Sequence, residues 1–583
     1  MGPSFEDSRR LTGPNLYFAD CGAVLMTLAG PPTDAQLAHW REHVAIARTW
    51  LGWPLAAQVV ARPHRSGAAL AIAAPEDQLF TATEVNEWAW QRAISSSELL
   101  APAHPSAHDE AMARETLQRS ARAEADPLLL QLIAVAREHH VRLFRDDDQL
   151  SIGAGAHALH APMSALPAVA AVPWAGLRDV PVALVSGSNG KTTSVRLIAA
   201  MLRASGRFVG HCCTDGLFFD GAFERSGDYS GPGGAREVMR DLRVEAAVLE
   251  TARGGILRRG LALRDVDVAL VTNVSADHFG EYGIDTLEDL ADTKLALARG
   301  LRPGARLVVN ADDPVLSSRA QRGDVPRAWF AFDHAHPLLH AARAAGQPTC
   351  ALRDGRVVLS LDKRERHDLG AIVDMPLTLS GSARYNIANL LGAALSAALI
   401  GVDVAHIRDV LARFGARRED NPGRLQCFRV DSIDIVLDYA HNPEGLTGLL
   451  ALAREHFPDR RIGLVLGQAG NRDDADIRAL ADAAFDAAPA FIVLKEIEGM
   501  LRGRKPGEVP SLLRDQLLLR GYPEAQMQTH ASELAAAKNA WRRTEANDVL
   551  ILPIHAKGAR EKVIAWLETL ETQTEGAVRQ SVD

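Results

Sequence analysis

The sequence predicts a multidomain α/β protein: a central and a C-terminal domain, each built on a parallel sheet, preceded by a smaller α+β N-terminal domain. Three observations carry this. The chain has 583 residues, too many for one hydrophobic core when domains usually run to about 100–200 residues. From Pro181 onward, short apolar runs end in Gly, Asn, Asp or His and are followed by helical segments, the alternation expected of a parallel sheet flanked by helices. The first third lacks that alternation and mixes strand-like stretches such as 22–27 with helix-like ones such as 84–93.

The strand-like runs follow in order. Residues 182–185, 246–249, 266–271 and 306–309 belong to the central domain, and 433–437, 462–466, 491–494 and 549–552 to the last. The charged, breaker-rich segment 415–423 marks the boundary between them. The expected division is therefore 1–165, 166–420 and 421–570, with a polar tail over 571–583 expected to be disordered. In open parallel sheets ligands bind beyond the carboxyl ends of the strands, so the polar residues just after each run are the candidates for chemistry.

Composition excludes several classes. Hydrophobic residues make up 47% and charged residues 23%, as in ordinary globular proteins. No apolar run reaches the ~18 residues that span a bilayer, and the acidic start carries no secretory pattern, so a cytoplasmic protein with no membrane association is expected. Five scattered cysteines without a C-x-x-C pair suggest neither a disulfide framework nor a zinc site. A net charge of -9 gives no nucleic-acid footprint, although 64 Lys and Arg leave room for local phosphate or carboxylate sites. A homo-oligomer is compatible with all of this.

The sharpest local signal is residues 182–193, VALVSGSNGKTT. A strand runs into a Gly-rich turn, and Val195, Ile198, Ala199 and Leu202 then fall on one face of a helix. Gly187, Ser188, Asn189 and Gly190 let backbone N–H groups surround phosphate oxygens at a helix N-terminus. Lys191 would reach the terminal phosphates, Thr192 would ligate magnesium, and Thr193 completes the run. ATP and Mg2+ are the expected cofactors. Val185 stands where the general phosphate loop has its first glycine, so the spacing is short.

This shorter loop resembles that of the Mur ligase superfamily, and the downstream residues extend the resemblance from about 181 to 560. It implies that Glu250 and His278, each just after a strand, hold magnesium with Thr192, and that Asn273 lies close by. Lys294 matches a family lysine that is often carbamylated and supports a metal; its other reading is a solvated helix lysine. Lys191, Glu250, His278 and Lys294 are the expected catalytic set. Asn386 and Asn389, three apart on one helix face, would lie beside the adenine. Arg424 would approach the phosphates, Asp438 the ribose, and His441 belongs to the same signature, all brought into place by closure of the last domain.

Within the superfamily, the runs 214–216, 227–232, 249–258 and 273–278 resemble the Mur-type half of the cyanophycin synthetase family, and residues 11–17 the start of its N-terminal domain. That half adds arginine to the β-carboxyl of aspartate on a growing polymer. The resemblance implies that Thr251, Arg253 and Gly254 meet a carboxylate acceptor. Arg502 and Arg504 lie where Mur ligases grip the incoming amino acid, unless they form a solvated basic loop. The expected activity is ATP-dependent amide ligation through an acyl phosphate, joining an amino acid to a carboxylate acceptor. The alternatives are a non-catalytic partner of a cyanophycin synthetase and a Mur-type ligase for another substrate. Residues 126–177 are too few for the ATP-grasp domain that this family carries ahead of its Mur-type half, so one nucleotide site and one bond-forming step are expected.

Overall fold

The structure is a computed structural model that describes residues 5–28, 30–94, 109–276, 279–364 and 366–582, with side chains described to 573. The chain divides into two compact units. The first holds the residues up to Arg353 together with Val358–Leu369 and Leu390–Ile407; the second holds Asp354–Val357, Gly370–Asn389 and everything from Arg408. The boundary expected near 165 therefore falls inside a unit, and the one expected near 420 is not a single cut.

At the start of the first unit, four antiparallel strands lie in the order Phe5–Leu11, Gly22–Thr27, Gly67–Ala73, Val59–His64. Helices Asp34–Leu51 and Leu79–Ile94 pack on this sheet through the fully buried Trp40 and Trp88. The first helix begins at a Thr33–Gln36 capping box and ends at Gly52 in the left-handed region. Residues 126–177 form one helix, three short antiparallel strands and several 3-10 turns.

The N-terminal sheets are sewn to the central domain by backbone. Thr12 N–H donates to Arg259 O at 2.8 Å and Leu261 N–H to Pro14 O at 2.7 Å. A Cβ on Gly13 would stand 2.1 Å from Leu261 O, so only glycine permits that approach. One core runs unbroken from Leu11, Tyr17 and Val24 to Leu184, Leu249 and Val271. A sequence pattern reports the period of each element but not which sheets share a core, so this fusion was not legible beforehand.

The central sheet has eleven strands among the described residues. Its parallel body runs Val209–Cys213, Ala246–Glu250, Val182–Ser186, Val266–Val271, Leu301–Asn310, Arg327–Asp333, Thr349–Arg353. Strands Val182–Ser186 and Ala246–Glu250 are buried at every position, which is why they read as continuous apolar runs. Val182–Ser186 comes first in sequence and lies between strands reached later on either side, so the connections diverge at its carboxyl end. That divergence opens the crevice where such sheets bind ligands.

In the second unit a six-stranded sheet runs Gln426–Val430, Ile433–Asp438, Val549–Pro553, Ile462–Leu466, Phe491–Lys495, Met527–His530, parallel except for its first strand. All eight runs expected as strands are strands. The segment from 571 expected to be disordered is instead the end of an α-helix, Lys557–Val582. Its Glu, Gln, Ala and Arg are good helix formers, so a polar composition does not prevent the helix from continuing.

Candidate functional site

The switch point places the Gly-rich loop between the ends of two neighbouring strands. Gly187 (φ 153°) lies so close to its neighbour that a Cβ there would meet Thr272 Oγ1 at 1.8 Å. Gly190 (φ 82°) begins helix Lys191–Ala204 with no side chain to cap the first turn, which leaves the helix N-terminus open to an anion. Thr272 Oγ1 donates to Asn189 O at 2.6 Å, Asn189 N–H to Asn273 Oδ1 at 2.8 Å, and Ser275 N–H to Ser188 Oγ at 3.0 Å. The loop is thus held by the segment after strand Val266–Val271. Asp313 keeps that segment in place by accepting from Val274 N–H at 2.7 Å. Lys191 Nζ rests on Gly187 O and Ser188 O at 3.1 and 3.0 Å, at the mouth of the loop. Thr193 is buried beneath it.

On the other side, Glu250 ends its strand and is 1% exposed. Its two oxygens accept from the Thr192 and Thr214 hydroxyls, each at 2.8 Å. Thr192 and Glu250 therefore converge as hard oxygen donors of the kind magnesium prefers, and they fit the expected metal as far as they go. His278 lies outside the described residues, and no group of three or more His, Cys, Asp and Glu suited to a metal occurs among the described ones. Lys294 is 3% exposed, which removes the solvated-lysine reading. Replacing Glu250 by Gln should raise the magnesium concentration for half-maximal activity at least about tenfold; an unchanged titration would remove Glu250 from the metal site.

Beyond Glu250, Thr251 Oγ1 donates to Leu249 O at 3.3 Å, and Gly254 O accepts from Arg258 Nε at 3.1 Å. Arg253 is 9% exposed and ion-paired with Glu281. A carboxylate ligand at Arg253 would compete with Glu281. Behind the loop, Arg196 and Asp215 form a buried ion pair at 2.8 Å. His211, stacked on Phe218 with both ring nitrogens buried and without a partner among the described residues, is driven down to about 3 by burial and by Arg196 and Arg203. A depressed histidine favours the neutral folded form, so its contribution is complete above the unfolded value near 6.5 and drains away as pH falls towards 3. Between about pH 7.5 and about pH 5, wild type should lose about 2 kcal/mol more than His211→Phe in urea unfolding. Parallel pH profiles for the two proteins would contradict this.

The second unit carries its own cluster. Asp438 is 9% exposed, and its carboxylate accepts from Leu425 N–H at 2.7 Å and Ala440 N–H at 2.8 Å. Burial pushes its carboxyl up, against Arg424. Asp438 thereby latches the turn that presents Arg424, whose guanidinium lies 4.1 Å from the Tyr439 ring centroid. His441 is half-buried, 5.3 Å from Tyr439 between ring centroids, and its carbonyl accepts from Gln468 Nε2 at 2.8 Å. Asn386 and Asn389 are 1% and 3% exposed and bond to one another at 3.2 Å, with Asn386 Nδ2 donating to Leu377 O. They are neither surface residues nor helix caps. Arg504 is engaged within its own neighbourhood, by Asp474, Glu508, Gly470 O and Arg472 O, and so shapes the 470–472 loop, whereas Arg502 is exposed.

One cluster escaped the sequence altogether. Lys495, Glu533 and His555 come from a strand, a helix and a loop and are 0%, 0% and 5% exposed. Lys495 Nζ donates to Glu533, to Pro553 O and to His555 Nδ1. Glu533 accepts from His555 and Ala556 N–H at 2.9 and 2.8 Å, and His555 Nε2–H donates to Ala440 O at 2.9 Å. Burial and Lys495 push His555 well down, consistent with a neutral ring. The network fixes Ala440, which lies between Asp438 and His441.

Residues 185–397 match the Mur ligase middle domain and residues 423–553 the Mur ligase glutamate ligase domain. The chain is 35% identical to a cyanophycin synthetase of Nostoc sp. over 376 residues, 64% of this chain and 41% of that one. It is 34% identical over 316 residues to a UDP-N-acetylmuramate--L-alanine ligase of Roseiflexus sp., covering 53% of this chain and 62% of the relative. Among solved structures, E. coli FolC in complex with ADP is similar over 67% of this chain and 90% of that one, with a TM-score of 0.47 at 18% identity. The chain spans about two fifths of the length of the cyanophycin synthetases it matches.

Proposed function

Residues 185–397 and 423–553 belong to the Mur ligase family, and from that premise we propose that the protein is an ATP-dependent amide ligase that activates a carboxylate as an acyl phosphate. The observation that carries the reading is the switch-point loop, with Lys191 at its mouth and the Thr192–Glu250 pair beside it. Lys191 and the open first turn of helix Lys191–Ala204 bind the β- and γ-phosphates. Thr192 and Glu250, with His278, hold the magnesium ion, which when bound neutralises charge on the phosphates.

The acceptor carboxylate attacks the γ-phosphorus, the bond to the β-phosphate oxygen breaks and ADP leaves. The amine of the incoming amino acid, having lost its proton, then attacks the acyl carbon and phosphate departs with the electron pair. One amide, one ADP and one phosphate result. Arg253 and its Gly-rich turn receive the acceptor, and Arg502 faces the amino acid. Asn386 and Asn389 serve the adenine, Arg424 the phosphates and Asp438 the ribose side through the turn it latches. Lys294, buried near the metal-binding set in sequence, supports the metal. Because the reaction consumes ATP, we place the protein in the cytoplasm.

For substrates we propose arginine and an aspartate-containing acceptor, on the 35% identity to cyanophycin synthetase. Incubation with ATP, magnesium, arginine and an aspartate-containing peptide, read by mass spectrometry, should show a single arginine addition. Incubation with free aspartate and arginine should give no polymer. Polymer in the second reaction would overturn the one-site reading, and no addition with any acceptor or amino acid would overturn the ligase reading.

A further inference from the structure

Where the N-terminal sheets meet the central domain, a cavity of about 140 Å³ is lined by five arginines: Arg10, Arg145, Arg236, Arg259 and Arg264. Three carboxylates, Glu76, Asp146 and Asp147, also line it, but each is already bonded. Asp147 accepts both nitrogens of Arg10 at 3.0 and 3.1 Å, Asp146 accepts from Arg240, and Glu76 accepts from Arg137 at 2.8 Å. Arg240 and Arg137 lie outside the lining, so Asp146 and Glu76 are drawn off by cations elsewhere, and Asp147 is taken up by Arg10 within it.

The other four lining arginines have no hydrogen-bonded carboxylate among the described residues. Arg145 donates to Glu76 O, and Arg259 reaches Arg10 O at 3.5 Å. Arg264 donates to Ala19 O at 2.6 Å and approaches Asp20 and Glu76 only to 3.8 Å. Arg236 Nε is buried with no hydrogen-bond partner among the described residues. Arg236 is half-buried as a residue, but a buried guanidinium N–H without an acceptor is costly, because it has left water and gained no partner in return. Burial pulls Arg236 down, and Asp146 opposes that only through space. The cavity thus holds an excess of donors and positive charge that an anion of the right size would satisfy.

We propose that this cavity is a binding site for a compact, multiply charged oxyanion, a phosphate or a small dicarboxylate, that ties the N-terminal sheets to the central domain. Arginine forks suit either group, and the volume admits one such ion but no nucleotide. The site is separate from the Gly-rich loop, which also binds phosphate, so the test must distinguish the two. Thermal unfolding of the full chain is followed in inorganic phosphate, succinate and chloride at equal ionic strength. Phosphate or succinate should raise the midpoint of wild type and of Lys191→Ala by about 2–4 °C over chloride, and should raise Arg236→Gln by less than half as much. The larger of the phosphate and succinate shifts identifies the ion. Arg259→Gln, an exposed position on the cavity rim, should show the same loss and serves if Arg236→Gln does not fold. A shift that survives both arginine variants but disappears in Lys191→Ala would assign the effect to the loop and overturn the proposal, as would no anion-specific shift in wild type.

Discussion

Lys191→Ala should lower ATP turnover by about 100-fold or more, the effect of removing one preorganised charge from a transferring phosphoryl group. The folded state should be little affected. Among the described residues Nζ rests only on two loop carbonyls, at 3.1 and 3.0 Å, and the side chain fills no core. The loop's shape comes from elsewhere: the left-handed Gly190, the crowding of Gly187 against Thr272, and the bonds from Asn273 and Ser275. Thermal unfolding and circular dichroism should therefore match wild type while phosphate release collapses. A folded variant with near-wild-type turnover would remove Lys191 from the nucleotide site.

Lys495→Met should produce the largest stability loss, about 3–5 kcal/mol in the second unit, because it strands the Glu533 carboxylate in a fully buried position. The Lys495→Met/Glu533→Gln double variant should recover part of that loss by removing the charge while keeping one oxygen that accepts from His555 or Ala556 N–H. Urea unfolding followed by Trp541 and Trp566 fluorescence, both in this unit, measures it. Losses under 1 kcal/mol for the single variant, or strict additivity in the double, would show that the three side chains do not act as one network. Catalysis gives a second readout. The network fixes Ala440 through His555, so the single variant should raise the KM for ATP more than it lowers kcat, which general destabilisation would not do.

The contrast between these two residues shows what the sequence makes legible. Lys191 announces itself because strand, glycine turn and helix are contiguous, and each has a local physical signature. Glu250 and Asp438 were legible for a related reason: each ends an apolar run that could only be a buried parallel strand. Lys294 and the Asn386–Asn389 pair were half-legible, since spacing assigns a helix face but not what that face meets. Lys495, Glu533 and His555 lie on three segments separated by tens of residues, and nothing local to any of them signals a partner. The arginine cavity was hidden for the same reason, with its walls spread from Arg10 to Arg264. Burial and pairing across sheets are properties of the folded chain.

The most direct test of the account follows an oxygen atom. The acceptor is prepared with heavy oxygen in its carboxylate and incubated with the protein, ATP, magnesium and the amino acid, and the released phosphate is analysed by mass spectrometry. If the carboxylate attacks the γ-phosphorus and the amine then displaces phosphate, one labelled oxygen must leave in the phosphate for every amide formed, with ADP as the other product. Unlabelled phosphate, or AMP carrying the label, would contradict activation as an acyl phosphate.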